Sequence, residues 1–168
     1  MVKVYLGLGS NLGVRLKNLE KACIAIGIEA GQIIDRSHVY ETEPWGFSSQ
    51  HNFLNMVVCI ETAQNPGGLL LSLQKIETRI GRIRKGIGYS PRIIDIDILL
   101  YDDQLITSKN LIIPHPLFHE RRFVLKPLSD IAPDLLHPVL NRKITDLLSD
   151  CMDQSRVDLF PARITTIE

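Results

Sequence analysis

The 168-residue chain has no net charge, because 19 Lys and Arg offset 19 Asp and Glu. That balance speaks against a nucleic-acid or membrane-surface binder, which needs a surplus of positive charge. Cysteine is scarce. Cys23, Cys59 and Cys151 form no close pair, which argues against a disulfide framework or a CxxC-type zinc site and for buried thiols in a reducing compartment. No apolar run approaches the ~18 residues of a spanning helix. The opening run from Val2 to Gly7 is too short, and too soon broken by glycine, for a signal peptide. Linkers, low-complexity segments and internal domain boundaries are also missing. A cytoplasmic protein, one domain over residues 1–168, is expected, and 45% apolar residues suffice for its core.

What is present reads as alternating strands and helices. Val2 to Leu8 is a β-rich apolar run, followed by Ser10 or Asn11 as a helix cap. Leu16, Leu19, Cys23 and Ile26 recur at helical spacing, and Gly27 and Gly31 mark that helix's end. Gln32 to Glu41 reads as one strand and Asn52 to Thr62 as another. The second presents Leu54, Met56, Val58 and Ile60 on one face and Phe53, Asn55, Val57 and Cys59 on the other. Asn65-Pro66 is a cap with proline at the first helical position, Leu69, Leu73, Ile76 and Ile80 form a stripe, and Gly81 ends it. Ile93 to Tyr101 is a further strand, and Leu105-Ile106 adds a short one. Two short helices near 118–130 and 143–151 are expected on the same core. The order β-α-β, loop, β-α-β predicts an α+β, ferredoxin-like, mainly antiparallel sheet with helices packed on one face. No function is read from residues 153–168.

The sharpest chemical feature is Asp95-Ile96-Asp97. On a strand, residues i and i+2 face the same way, roughly 7 Å apart. With Ile94, Ile96 and Ile98 in the core, two carboxylates stand together on the other face and repel unless something positive lies between them. A hard cation such as Mg²⁺, bound through carboxylates and substrate phosphates, answers that repulsion; an acidic face paired with arginines does so too. Immediately before this strand, Arg82, Arg84, Lys85 and Arg92 lie within 11 residues on a glycine-punctuated loop. Cations beside a carboxylate pair suit a polyphosphate. The phosphate scaffold is not a P-loop, since Ile87-Gly88 follows Gly86 in place of Lys-Ser or Lys-Thr. Gly7-Leu8-Gly9 through Gly13 is one residue too long for a dinucleotide fingerprint and reads as a tight strand-to-helix turn. Phe53 and Asn55 share a strand face, where a ring and a carboxamide suit a flat heterocycle; a packed ring beside a capping Asn gives the same pattern. Trp45, the only tryptophan, lies in the loop just before. His115 sits between Pro114 and Pro116, while Gln74 and Glu77 lie one helical turn apart near the basic loop.

Together these segments resemble the 6-hydroxymethyl-7,8-dihydropterin pyrophosphokinase family of folate biosynthesis. The likeness runs from Val4 to about Leu147. It is carried by Gly7-Leu8-Gly9-Ser10-Asn11-Leu12-Gly13, Thr42-Glu43-Pro44-Trp45-Gly46, Phe53-Leu54-Asn55, Gly81-Arg82-Ile83-Arg84, Pro91-Arg92-Ile93-Ile94-Asp95-Ile96-Asp97-Ile98 and Ile113-Pro114-His115. The resemblance implies transfer of the β,γ-pyrophosphoryl unit of ATP to the dihydropterin hydroxymethyl group, with release of AMP. It implies two Mg²⁺ ions on Asp95 and Asp97, and Arg82 and Arg92 steadying the transferring group. Gln74, Glu77, Arg84, Lys85, Ile98, His115 and Arg121 match ATP-contacting positions. Thr42, Pro44, Trp45, Phe53, Asn55, Tyr89 and Phe123 match the pterin pocket. Many family members have Arg-Trp-Gly where this chain has Gly88-Tyr89-Ser90, and Tyr where it has Pro116. A monomer acting on small molecules is expected. An RNA-binding sheet would need further exposed aromatics beside Phe53.

Overall fold

β1 (Val2–Ser10) runs through the sheet because Val4, Leu6 and Leu8 alternate onto one buried face. The computed structural model describes residues 1–84 and 91–164. After β1 come α1 (Arg15–Glu29), β2 (Gln32–Arg36), β3 (Tyr40–Thr42), β4 (Phe53–Thr62), α2 (Pro66–Ile80) and β5 (Asp95–Tyr101). A small hairpin of β6 (Ile106–Thr107) and β7 (Ile112–Ile113) follows, then a 3₁₀ turn at Phe118–Glu120, α3 (Arg122–Ile131), α4 (Ile144–Ser149) and β8 (Val157–Leu159). The main sheet is antiparallel in the order β5-β1-β4-β3-β8, with β2 also paired to β4. This is the α+β, ferredoxin-like arrangement that the element order implies.

The helices divide between the two faces of the sheet. Leu19, Cys23 and Ile26 of α1 and Leu69, Leu73 and Ile76 of α2 bury against Leu6, Leu54, Met56 and Ile96. The expectation that the C-terminal helices join this same core is corrected. Leu125, Leu128, Ile144 and Leu147 form a second core with Phe118, Val57, Leu99 and Leu100. A register shift where β5 passes Tyr5 and Leu6 lets Leu99 and Leu100, though adjacent, both join that second core. α3 runs through Pro127, whose missing N–H leaves one helical bond unmade.

Local expectations hold for α2. Asn65 Oδ1 accepts the Gly68 N–H at 2.8 Å, Pro66 opens the helix, and Gly81 ends it at φ +117°. They fail at α1, where Val14 holds the cap position without a side-chain bond. Ser10 remains in β1 and accepts from Asn18 Nδ2 at 3.1 Å. α1 passes through Gly27, while Gly31 lets the chain cross β4: a Cβ there would lie 2.5 Å from the Glu61 carbonyl oxygen. The single strand expected over Gln32–Glu41 is two strands. Between them Ser37 Oγ accepts the Val57 N–H at 2.9 Å, so a side chain replaces a ladder bond. β8, expected by no sequence signal, pairs with β3 through Thr42↔Val157. Among the described residues no helix is long and apolar enough to cross a membrane.

Candidate active site

The site begins with two missing side chains. Gly7 and Gly9 lie inside β1, not in a turn as expected; Gly13 alone of the three has a positive φ, +67°. In the register, Gly7 lies between Val57 and Asp97, and Gly9 between Asn55 and Asp95. All share one sheet face, so the middle strand contributes only backbone there and a cleft opens across it. α3 covers the neighbouring part of that face and stops at the cleft wall with Phe123 and Val124. The cleft measures about 650 Å³ including its open mouth. A Cβ on Gly9 would stand 2.6 Å from Asn55 Oδ1, and one on Gly7 would touch Leu99 at 3.4 Å. Glycine at position 9 therefore leaves the Asn55 carboxamide the room to stay on Thr42.

One end of the cleft is aromatic and amide-lined. Thr42, Trp45, Phe53, Asn55 and Phe123 all border it, as does Phe47, which meets Phe53 edge-on with 6.0 Å between ring centres. Asn55 Nδ2 donates to Thr42 Oγ1 at 2.6 Å, which fixes the carboxamide's orientation. The buried Arg121 guanidinium lies 4.6 Å from the Trp45 ring centre and 5.8 Å from that of Phe123. Pro44 belongs to the same loop, between Glu43 and Trp45, both of which border the cleft. Phe47, Glu43, Gly9 and Leu99 were missed in the sequence. A second aromatic two residues beyond Trp45 was the only signal available for Phe47.

The other end is charged. Asp95 and Asp97 both border the cleft, and the isoleucines between and beside them are in the core. Arg82 Nη1 donates to Asp95 Oδ1 at 2.6 Å, and Arg92 Nη1 to Asp95 Oδ2 at 2.8 Å. Behind them Glu77, 2% exposed, accepts from Arg82, from Arg84 at 2.7 Å and from the Ile96 N–H at 2.8 Å. Burial raises the Glu77 pKa, and Arg82 opposes that rise. Asp97 is pushed up to about 7, first by burial and then by the charges of Asp95 and Glu77. Two oxygen donors on one face fit a hard cation. Among the described residues no third His, Cys, Asp or Glu completes a cage. That incompleteness suits Mg²⁺, which takes one or two carboxylates and fills its shell with water and phosphate oxygens.

His115 follows a cis Ile113–Pro114 bond, and its N–H donates to the Leu99 carbonyl at 2.9 Å. Its Nδ1 accepts the Leu117 N–H at 3.2 Å, so the neutral ring carries its proton on Nε2. Burial, then the Arg121 charge, lower its pKa to about 4. Gln74 is half-buried on α2 and does not border the cleft. Ile98, matched to an ATP-contacting position, packs its side chain in the core and leaves its backbone for such a contact. Lys85 and Tyr89 lie outside the described residues.

The family described as 7,8-dihydro-6-hydroxymethylpterin-pyrophosphokinase (HPPK) matches residues 5–133. The chain is 42% identical over 146 residues to the 2-amino-4-hydroxy-6-hydroxymethyldihydropteridine pyrophosphokinase of Aquifex aeolicus, covering 87% of this chain and 90% of that one. It is 46% identical over 141 residues to the Porphyromonas gingivalis protein of the same name, covering 82% and 95%. Against the folic acid synthesis protein fol1 of Pneumocystis carinii it is 42% identical over 158 residues, 94% of this chain and only 21% of that longer protein. Wild-type HPPK-DHPS of Plasmodium falciparum has a similar fold, with a TM-score of 0.73 at 20% identity over 88% of this chain and 44% of that one.

Proposed function

The chain belongs to the 7,8-dihydro-6-hydroxymethylpterin-pyrophosphokinase family and is an enzyme of folate biosynthesis; from that premise we propose how its cleft divides the work between two substrates. The heterocycle of 6-hydroxymethyl-7,8-dihydropterin lies among Phe53, Phe123 and Trp45, where ring faces supply stacking and Asn55 and Thr42 supply a donor and an acceptor pattern. The triphosphate of ATP lies over Asp95 and Asp97, reached by Arg82, Arg92 and Arg121. The observation that carries this reading is the placement of a carboxylate pair, with arginines, and a ring-lined amide pocket in one cleft.

In the transfer, the pterin hydroxymethyl oxygen forms a bond to the β-phosphorus as the bond between that phosphorus and the α-phosphate oxygen breaks; AMP leaves and the hydroxyl proton passes to water. Asp95 and Asp97 would hold two Mg²⁺ ions, which would supply positive charge to neutralise phosphate oxygens. Arg92 and Arg82 are already poised by Asp95 and Glu77, so their guanidinium forks meet the transferring group without first searching for it. Arg121 borders the cleft against Trp45 and Phe123 and its charge is felt at Asp97, so the cation can steady charge near both substrates. Most of the catalytic effect then comes from alignment and fixed charge, as in phosphoryl transfer generally.

The test is AMP formation from ATP. It is expected only when the dihydropterin and a divalent cation are both present. Asp97→Ala should fold and lose about 10²-fold or more in turnover, since several kcal/mol of charge stabilisation is removed at about 1.4 kcal/mol per decade. Turnover within a few-fold of wild type would refute the metal assignment.

A further inference from the structure

Asn11 is 1% exposed and sits where β1 leaves the sheet, yet it caps no helix. Its Oδ1 accepts the Arg92 N–H at 2.7 Å, and its own N–H donates to the Arg92 carbonyl at 3.0 Å. Its Nδ2 donates to the His51 carbonyl at 3.3 Å. A single carboxamide thus spends its acceptor on the segment that brings an arginine to Asp95, and its donor on the loop that carries Trp45. Short side chains that offer both a donor and an acceptor in one plane are few, and asparagine is the one whose two atoms can each reach a separate backbone here. A nearly buried carboxamide that loses one partner keeps an unmet polar atom, or, on the His51 side, turns to water in the open cavity that Asn11 and His51 border. Both arms are satisfied within the protein only when the two segments sit in this relative position.

We propose that Asn11 is a positioning residue that couples the two halves of the cleft. Phosphate bound at the charged end adds a further restraint to the Arg92 that Asp95 already orients, Asn11 passes that restraint to the His51 backbone, and the Trp45 loop is held ready for the heterocycle. This rests on the assignment of ATP to the charged end and pterin to the ring-lined end.

Coupling of this kind is reciprocal and measurable as a ratio of affinities. A non-hydrolysable ATP analogue with Mg²⁺ and the dihydropterin are each titrated alone and in the presence of the other, followed by the fluorescence of the single tryptophan. In the wild type each ligand is expected to tighten the other by the same factor, at least about fivefold. Asn11→Ala should bring that factor close to one while changing the affinity for each ligand alone by no more than about threefold. Asn11→Asp keeps the acceptor for Arg92 and removes the donor to His51. It should lose the coupling as well, and it serves if the alanine variant does not fold. A merely structural role would instead weaken both single-ligand affinities and leave the factor intact, and that result overturns the proposal. So does a wild-type factor of one. Wild-type protein that releases AMP while the variants keep full coupling overturns this inference alone; wild-type protein that binds neither ligand overturns the cleft assignment with it.

Discussion

Burial and the carboxylates of Asp95 and Glu77 hold Asp97 protonated to a higher pH than an ordinary aspartate. The consequence for stability has a definite sign. A carboxyl whose folded pKa lies above its unfolded one binds more protons in the native state, so its contribution to stability is complete below the ordinary range and is lost as pH rises through about 7. Asp97→Asn removes that loss. In EDTA the variant should be more stable than wild type at pH 8 by about 1–2 kcal/mol, after discounting for solvent at the cleft mouth, and nearly equal to it at pH 4. Melting curves at the two pH values check this. The same variant should be the less stable of the two once Mg²⁺ and ATP are added, because only the wild type gains from binding them. Gly9→Ala addresses the opposite wall. Its new methyl would stand 2.6 Å from Asn55 Oδ1 and push the carboxamide off Thr42. A rise in KM for the pterin of about tenfold, equivalent to one lost hydrogen bond, is expected, with KM for ATP little changed.

Elements were legible where one face of a regular segment buries and the pattern repeats. β1, β4 and α2 carry their stripes in plain view, and Asp95 and Asp97 could be placed on one face because Ile94, Ile96 and Ile98 fill the other. Elements set by long-range contacts were not legible. The break between β2 and β3 depends on Ser37 meeting Val57, 20 residues away. Which face α3 covers depends on a register shift opposite Tyr5, which leaves no mark in the order of apolar residues. Gly7 and Gly9 looked like a turn because glycine in a sequence does not say whether it bends the chain or clears space above a strand. Glu77 is the clearest case of an element-level role. From α2 it accepts the Ile96 N–H of β5 and holds Arg82 and Arg84, so one carboxylate fastens the helix to the strand that presents Asp95. Glu77→Gln keeps the shape and removes the charge. It leaves the half-buried Arg82 with Asp95 as its remaining carboxylate. Loss of a buried pair's partner costs about 3 kcal/mol, and denaturant unfolding should read a loss of that order together with a fall in kcat larger than any rise in either KM.

For the molecule as a whole, the cleft depends on a sheet closed at an edge far from the chemistry. β3 carries Thr42 and is only three residues long, which is too little to hold its place through β4 alone. The chain's last described stretch supplies the second partner: Val157 pairs with Thr42, Leu159 with Tyr40, and Ile164 buries in the first core. Tyr40 adds a brace from the other side of the cleft's wall, donating its hydroxyl proton to Asp130 of α3 at 2.8 Å. Ending the chain before Arg156 would remove the β8 ladder and the Ile164 contact and leave the outer edge of β3 open. No residue bordering the cleft is lost in that truncation. The shortened protein should therefore keep the chemistry at low temperature while unfolding several degrees earlier, consistent with a loss of about 1–3 kcal/mol. It should also lose affinity for the pterin more than for ATP, since Thr42 orients Asn55 and takes no part at the charged end. Thermal melts combined with the two KM values decide the matter. If ATP affinity falls as far as pterin affinity, β8 supports the sheet generally; if only the pterin side weakens, the tail holds one wall of the cleft.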